Sequence, residues 1–284
     1  MLIERVGYEA LIQDEGRFGF AHLGVPRAGA ADLDSYRLGA RLVGNMPGAA
    51  AIEYLLGDVA VRAEVPITIA VTGAAGEIQI GGRAVARNVA HYVPAGTLLE
   101  IKPAAYGMRG YLSVRGGIDV PLVLGSRSHD SLAGLGPAAL RAGDRVPIGS
   151  ATAGCPAHAD VVVDSISGDG VTDVDFAPGP REDCFTDVAI ELLRTSTWQV
   201  STEVNRVGAR LTGPRLEHAG DVQIPSEAMH LGSIQVPASG QPIVFLANYP
   251  STGGYPVIGV VTAASIPRLT QARPGSEVRF RRLP

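Results

Sequence analysis

Glycine and proline cut this chain into short pieces: 36 glycines and 20 prolines fall among its 284 residues. Between them stand brief β-prone runs: Val59–Arg62, Ile67–Val71, Glu77–Ile80, Leu98–Ile101, Gly110–Val114, Asp160–Asp164, Asp173–Phe176, Val222–Ile224, Ile243–Ala247, Val257–Thr262 and Glu277–Phe280. Even spacing of short strands with turn residues between them predicts antiparallel sheet or barrel. Helices are few and short. Asp32 to Val43 reads as one, with Asp32 as N-cap, Leu33, Tyr36, Leu38 and Leu42 apolar, and Gly44 as its stop. Thr186 to Thr195 reads as a second, capped by Thr186, and a short third spans Ala264 to Ala272.

Three segments share one pattern, x-[AP]-G-x-x-[LV]-x-[IF]. They are Pro94-Ala-Gly-Thr-Leu-Leu-Glu-Ile101, Arg141-Ala-Gly-Asp-Arg-Val-Pro-Ile148 and Arg273-Pro-Gly-Ser-Glu-Val-Arg-Phe280. Each reads as a turn entering a strand, and two of them end the halves of the chain. The expected organisation is therefore mainly β with a few short helices, in two related β-barrel lobes. These cover residues 1–153 and 154–284 and join near Thr152–His158. Convergent turn chemistry is the competing explanation of the repeat.

Charge and residue usage remove several functions. A net charge of −4 offers no basic field for nucleic acid. No apolar run approaches the ~20 residues of a membrane span, and the opening Met-Leu-Ile-Glu-Arg-Val has no leader pattern. Two cysteines, Cys155 and Cys184, make no disulfide framework, so a cytoplasmic protein with reduced thiols is expected. Lys102 is the only lysine, which excludes the phosphate-binding loop G-x-x-x-x-G-K-[ST]. Lys102 sits in Glu-Ile-Lys-Pro, unlike the Met-Lys-Met turn that carries biotin, so any biotin used here arrives on another protein. No metal site is expected: the histidines are scattered, and Cys155-x-x-His158 has no second pair at a zinc spacing. No G-x-S-x-G is present, so a hydrolase elbow is also excluded.

Uncharged hydrogen-bonding groups concentrate between Leu231 and Pro256. Gln235 and Gln241 precede the apolar run Ile243–Ala247, and Thr252, Gly253, Gly254 and Tyr255 follow it. Gly253-Gly254 suggests positive φ and close approach of another molecule. Pro256 restricts Tyr255 to an extended conformation. The segment reads as a binding site, against the alternative of an irregular loop capping a barrel.

Other clusters carry charge. Gln13, Asp14, Arg17 and His22 bring an amide, a carboxylate, a guanidinium and an imidazole together, fit to bind a carboxylate or phosphate and move a proton. An Asp14–Arg17 turn pair beside a surface histidine is the plain alternative. Pro26-Arg-Ala-Gly-Ala-Ala-Asp32 enters a helix N-terminus that holds either an anion or the Asp32 side chain itself. Ser126-Arg127-Ser-His-Asp130 and Arg181-Glu-Asp183 are short polar runs whose arginines suit carboxylates; a solvated loop explains each equally well. Asn205, Arg206 and Arg210 form a third such cluster. Glu53 and Glu227 lie beside apolar strands, where burial would raise their pKa and suit them as general bases.

These motifs carry a family resemblance. G-S-I-Q-V-P-x-x-G-Q-P followed by T-G-G-Y-P resembles allophanate hydrolase subunit 2, the family that includes the C subunit of bacterial ATP-dependent 5-oxoprolinase. Part of the carboxyltransferase region of urea carboxylase and the Kip-type sporulation regulators belong to it too. Ile12-Gln-Asp-Glu-Gly-Arg17, His22-Leu-Gly-Val-Pro-Arg-Ala-Gly-Ala-Ala-Asp32, Leu42-Val-Gly-Asn45, Ile52-Glu53, Arg115-Gly-Gly-Ile-Asp119, Gly125-Ser-Arg-Ser-His-Asp130 and Gly179-Pro-Arg-Glu-Asp183 follow the family in order.

The resemblance implies cyclophilin-like barrels and a 5-oxoprolinase component that works with a B subunit (allophanate hydrolase subunit 1-like) and an A subunit. ATP would be bound with the partner, and the substrate would be a small amide or lactam. Asp14, His22, Glu53 and Glu227 would serve the chemistry. Gln13, Arg17, Arg127, Arg181, Arg206, Gln235, Gln241, Thr252, Gly253, Gly254 and Tyr255 would bind substrate. Two other roles stay open: carboxyl transfer from a partner's biotin to urea or a related amide, and non-catalytic regulation of a kinase-inhibitor partner. The chain departs from the family at Ala28, where many relatives have serine, and at Asn248-Tyr249, where many have Asp-Arg.

Overall fold

The turn pattern that recurs three times folds the same way each time. Gly96, Gly143 and Gly275 have φ of 78°, 94° and 86°, values that L side chains rarely adopt. Each turn closes on a hydrogen bond, from Thr97 to Pro94, from Asp144 to Arg141 and from Ser276 to Arg273. Each is then clasped by a neighbouring segment. The glycine N–H groups donate to the carbonyls of Ala63, Ile3 and Val200, whose own N–H groups donate back to Thr97, Asp144 and Ser276. Two turns lead into strands; the middle one leads to isolated bridges, Leu2 with Arg145 and Ile118 with Ile148.

The computed structural model describes residues 1–157, 170–220 and 224–283. The expected strand Asp160–Asp164, most of Val222–Ile224, and His158 at the expected joint lie outside them. The chain divides into two units, Met1–Arg17 with Ala28–Gly168 and Phe18–Arg27 with Asp169–Pro284.

The first unit contains β1 (Leu2–Val6), β2 (Ala10–Gln13), β3 (Ala51–Leu55), β4 (Val59–Arg62) and β5 (Ile67–Gly73). Then come β6 (Ile78–Ile80), β7 (Arg83–Val85), β8 (Ala90–Val93), β9 (Leu98–Ile101) and β10 (Arg109–Val114). They form two five-stranded sheets, β1-β4-β9-β6-β7 and β2-β3-β10-β5-β8. One core serves both: Ile3, Val61 and Leu99 from the first meet Ile12, Ile52, Ile69 and Leu112 from the second. Each such buried side chain contributes about 1.5–3 kcal/mol. Helix α1 (Leu33–Leu42) begins at the expected cap, the Asp32 side chain accepting from Ser35 N–H. It lies close on β10: a Cβ on Gly39 would come within 2.5 Å of Ser113 Oγ.

The second unit holds β11 (Thr172–Pro178), α2 (Asp187–Thr195), β12 (Thr197–Val200), β13 (Gly208–Thr212) and β14 (Glu227–Ala228). It continues with β15 (Ser233–Gln235), β16 (Ile243–Phe245), β17 (Thr252–Gly253), β18 (Val257–Val261), α3 (Ile266–Thr270) and β19 (Glu277–Arg282). Seven strands close a barrel in the order β11-β18-β15-β16-β13-β12-β19, shut by the parallel pairing of β11 with β19. Trp198, Phe176, Phe280, Leu211, Val244 and Ile258 fill it. Thr186 caps α2 as expected, accepting from Ala189 N–H. The molecule is thus mainly β with three α-helices among the described residues; its closed barrel is the second unit, and the first is two sheets around a common core.

Candidate functional site

In the first unit Gln13, Asp14, Arg17 and Glu53 are buried and hydrogen-bonded within the chain. β2 ends at Gln13, and the Asp14 carboxylate that follows accepts from Gly16 N–H at 2.8 Å and from Ser126 Oγ, Ser128 Oγ and Arg127 N–H, each at 2.6 Å. Gln13 Nε2 donates to the His129 carbonyl at 3.1 Å. The Arg17 guanidinium, 2% exposed, donates to the carbonyls of Val123 and Ser128. Burial lowers the Arg17 pKa, and the Asp130 and Asp14 carboxylates oppose that shift. Arg17, expected to bind a substrate carboxylate, thus holds two backbone carbonyls of the 120s loop through Nε and Nη2.

Glu53 is equally committed. Its carboxylate accepts from Arg109 Nη1 at 3.1 Å, Tyr111 Oη at 2.8 Å and Ala31 N–H at 2.9 Å. The anion expected just ahead of α1 is therefore supplied by Glu53 and the Asp32 cap, both from the protein itself. Burial first, then the Glu53 charge, pushes the Tyr111 phenol well up, so it stays a donor. Arg127 ties Val120 O and Asp119 Oδ1, each at 2.7 Å, beside a cavity of about 280 Å³ floored by Gly116, Gly117 and Gly149.

His22 sits on an exposed 3₁₀ turn, Ala21–Leu23, that groups with the second unit. In that unit Arg181 forks onto Glu227, its Nε lying 3.0 and 3.2 Å from the two carboxylate oxygens while Nη2 also bonds Oε1. The guanidinium holds the Glu227 carboxyl below its usual range. This corrects the raised pKa expected of a buried base: the hydrogen bonds from Arg181 outweigh desolvation. Arg206 is buried, and its carbonyl accepts from Asn248 N–H at 2.9 Å. Gln241 spends both ends on Gly213, Oε1 accepting from its N–H at 2.9 Å and Nε2 donating to its carbonyl at 3.1 Å.

The glycine pair behaves differently from expectation. Neither Gly253 nor Gly254 has positive φ, and a Cβ on Gly254 would meet nothing within 4 Å. A Cβ on Gly253 would come within 2.6 Å of Gln235 Nε2 and 3.1 Å of Met229 Sδ. The close approach is thus inward, to Gln235, and belongs to Gly253 alone. Thr252 and Gly254 are exposed. Met229, Ile243, Phe245 and Val257 form a small cluster beneath this ribbon, separate from the barrel interior.

One cavity, of about 370 Å³, gathers predicted residues with unpredicted ones. Gln235 and Tyr255 line it together with Asn205, Arg210, Glu203 and Ile243. Glu203 escaped the sequence reading, Ile243 entered it only as the start of an apolar run, and Arg210 only as part of a charged cluster. The signal that finds Arg210 is the alternation Gly208-Ala-Arg-Leu-Thr212, which turns Ala209 and Leu211 inward and Arg210 outward.

A protein-family comparison matches the carboxyltransferase domain, subdomains A and B, over residues 23–282. This chain belongs to that family. It is 36% identical to the 5-oxoprolinase C subunit of Escherichia coli (strain K12), covering 98% of this chain and 89% of the relative. It is 34% identical to the 5-oxoprolinase C subunit of Haemophilus influenzae, over 95% and 87%. The crystal structure of K. lactis urea amidolyase superposes with a TM-score of 0.93 at 29% identity, covering 100% of this chain and 19% of that one.

Within this carboxyltransferase-family chain, the cavity joins open space to an amide that is held at one end only. Gln235 is 5% exposed, and its Nε2 donates to the Tyr255 carbonyl at 3.1 Å. A carbonyl only accepts, so that contact fixes the amide's orientation and turns Oε1 the other way. Such a site can hold a small polar amide through an acceptor, a cation and an apolar floor. Among the described residues no group of three or more His, Cys, Asp or Glu is placed to hold a metal ion, and no helix is long and apolar enough to cross a membrane.

Proposed function

We propose that this chain is the C subunit of a bacterial ATP-dependent 5-oxoprolinase, which opens 5-oxo-L-proline to L-glutamate with hydrolysis of ATP and works with the A and B subunits. The observation that carries the reading is end-to-end correspondence: at 36% identity, 98% of this chain aligns with 89% of a 5-oxoprolinase C subunit. A lactam is a poor electrophile, so its amide oxygen must be activated by phosphorylation before water attacks. With no phosphate-binding loop in the sequence, ATP is assigned to the partner. This chain's share is to bind and orient the lactam, and its setting is cytoplasmic.

A second reading, transfer of a carboxyl group from a partner's biotin to urea or a related amide, draws on the likeness to urea amidolyase. Reconstitution with the A and B subunits decides between them. The first reading expects ATP hydrolysis that depends on 5-oxoproline and is absent from this chain alone. A biotinylated partner with urea-dependent turnover would support the second. A stable partner complex with no turnover of either kind would point to a regulator.

A further inference from the structure

Three adjacent barrel strands place Arg210, Ile243 and Gln235 in one row: Arg210 pairs with Ile243 between β13 and β16, and Ile243 pairs with Gln235 between β16 and β15. Side chains at paired positions share a face, here the outer one, since Ala209, Val244 and Ile234 fill the barrel. With strands about 4.8 Å apart, the ends of the row stand roughly 10 Å apart, so a long arginine and a glutamine reach one compact ligand above Ile243. Gly208 keeps that floor low, because a Cβ there would lie 3.1 Å from Ile243 Cγ2.

The two ends offer complementary chemistry. Gln235 Oε1 accepts no hydrogen bond among the described residues, and its amide cannot flip without losing the Tyr255 carbonyl. Arg210 is bound only at the surface: its Nε lies 3.1 Å from Glu203 Oε2, the side chains being 53% and 72% exposed. Such an exposed pair is weak and readily exchanged, whereas a ligand carboxylate can engage a guanidinium through two parallel bonds.

We propose that Arg210 is the carboxylate-recognition residue of this cavity, that Gln235 Oε1 receives the ring N–H of the same ligand, and that Glu203 occupies Arg210 until the ligand displaces it. The inference rests on the lactam reading above and deepens it. The ligand class is a five-membered lactam whose carboxylate sits on the carbon beside the ring nitrogen. Urea and unsubstituted lactams have no group to exchange for Glu203, so the pair disfavours them.

Calorimetric titration tests this on the purified chain and on the reconstituted complex, with 5-oxo-L-proline and with 2-pyrrolidinone, the same ring without its carboxylate. Arg210→Gln should weaken 5-oxoproline binding about ten- to a hundredfold, and Arg210→Lys should restore part of it. Glu203→Gln should tighten 5-oxoproline binding severalfold, and 2-pyrrolidinone should respond to neither change. The proposal is overturned if 5-oxoproline fails to bind both preparations, if Arg210→Gln binds it normally, or if both ligands respond equally. Arg210-dependent binding without 5-oxoproline-dependent ATP hydrolysis would remove the functional reading and leave the site. Turnover indifferent to Arg210 would do the reverse.

Discussion

Asp14 and Gln235 are both buried polar side chains, and they sit at opposite ends of a scale of commitment. Asp14 takes four donors from its own chain, Glu53 accepts from Arg109, Tyr111 and Ala31, and Arg17 donates to two backbone carbonyls. Gln235 is held by one hand, through Nε2, and offers the other to a cavity. A buried polar group whose partners are all internal costs stability when removed, because its neighbours lose their bonds in a place water cannot reach. One that faces a cavity half-satisfied is where a ligand has something to gain. The first unit's cluster therefore reads as a clamp on its loops, and the second unit's as a binding site.

Removing Glu53 should break the clamp most severely. Glu53→Ala takes the carboxylate from beside a buried guanidinium and should cost about 3–5 kcal/mol in denaturant unfolding. A stability loss near zero with turnover abolished would instead place Glu53 in the chemistry. Arg17→Lys comes next. The charge survives but the planar fork onto Val123 and Ser128 does not, so stability should fall by about 1.5–3 kcal/mol while activity per folded molecule holds. The opposite pattern, activity lost at unchanged melting temperature, would make Arg17 a substrate ligand after all.

The glycines sharpen the contrast on the binding side. Gly253→Ala should push Gln235 aside and lower 5-oxoproline binding by about tenfold at nearly unchanged melting temperature, the loss expected of one good hydrogen bond. Gly254→Ala should do nothing measurable in the same titration, since its Cβ enters open space. Equal effects at the two positions would remove Gln235 from the site.

The smallest effect belongs to Glu227. Its folded pKa is depressed by Arg181, so the pair stabilises the fold above the ordinary carboxylate range and loses that contribution as pH falls through the folded value. Unfolding curves of the wild type and Glu227→Gln should therefore differ slightly near neutral pH, converge in acid, and differ less in high salt. A gap that widens in acid would show that the carboxyl is not held ionised.

The sequence alone determined what depends on a few neighbouring residues. Asp32 and Thr186 cap helices because their side chains reach a backbone N–H three positions on. The x-[AP]-G turns recur because glycine alone accepts their φ cheaply, and Val59–Arg62 and Leu98–Ile101 read as strands to the residue. Tertiary structure decided which polar groups are spent and which are free. Glu53 is consumed by an arginine 56 positions away, and Asp14 by hydroxyls more than 100 away. Arg210 and Gln235 meet over one ligand-sized floor only because β16 runs between their strands in a register that carries Ile243 to both. Backbone dihedrals and caps are local energies, legible in order along the chain. Burial and register are properties of segments brought together from a distance, and they appear only once the sheets have closed.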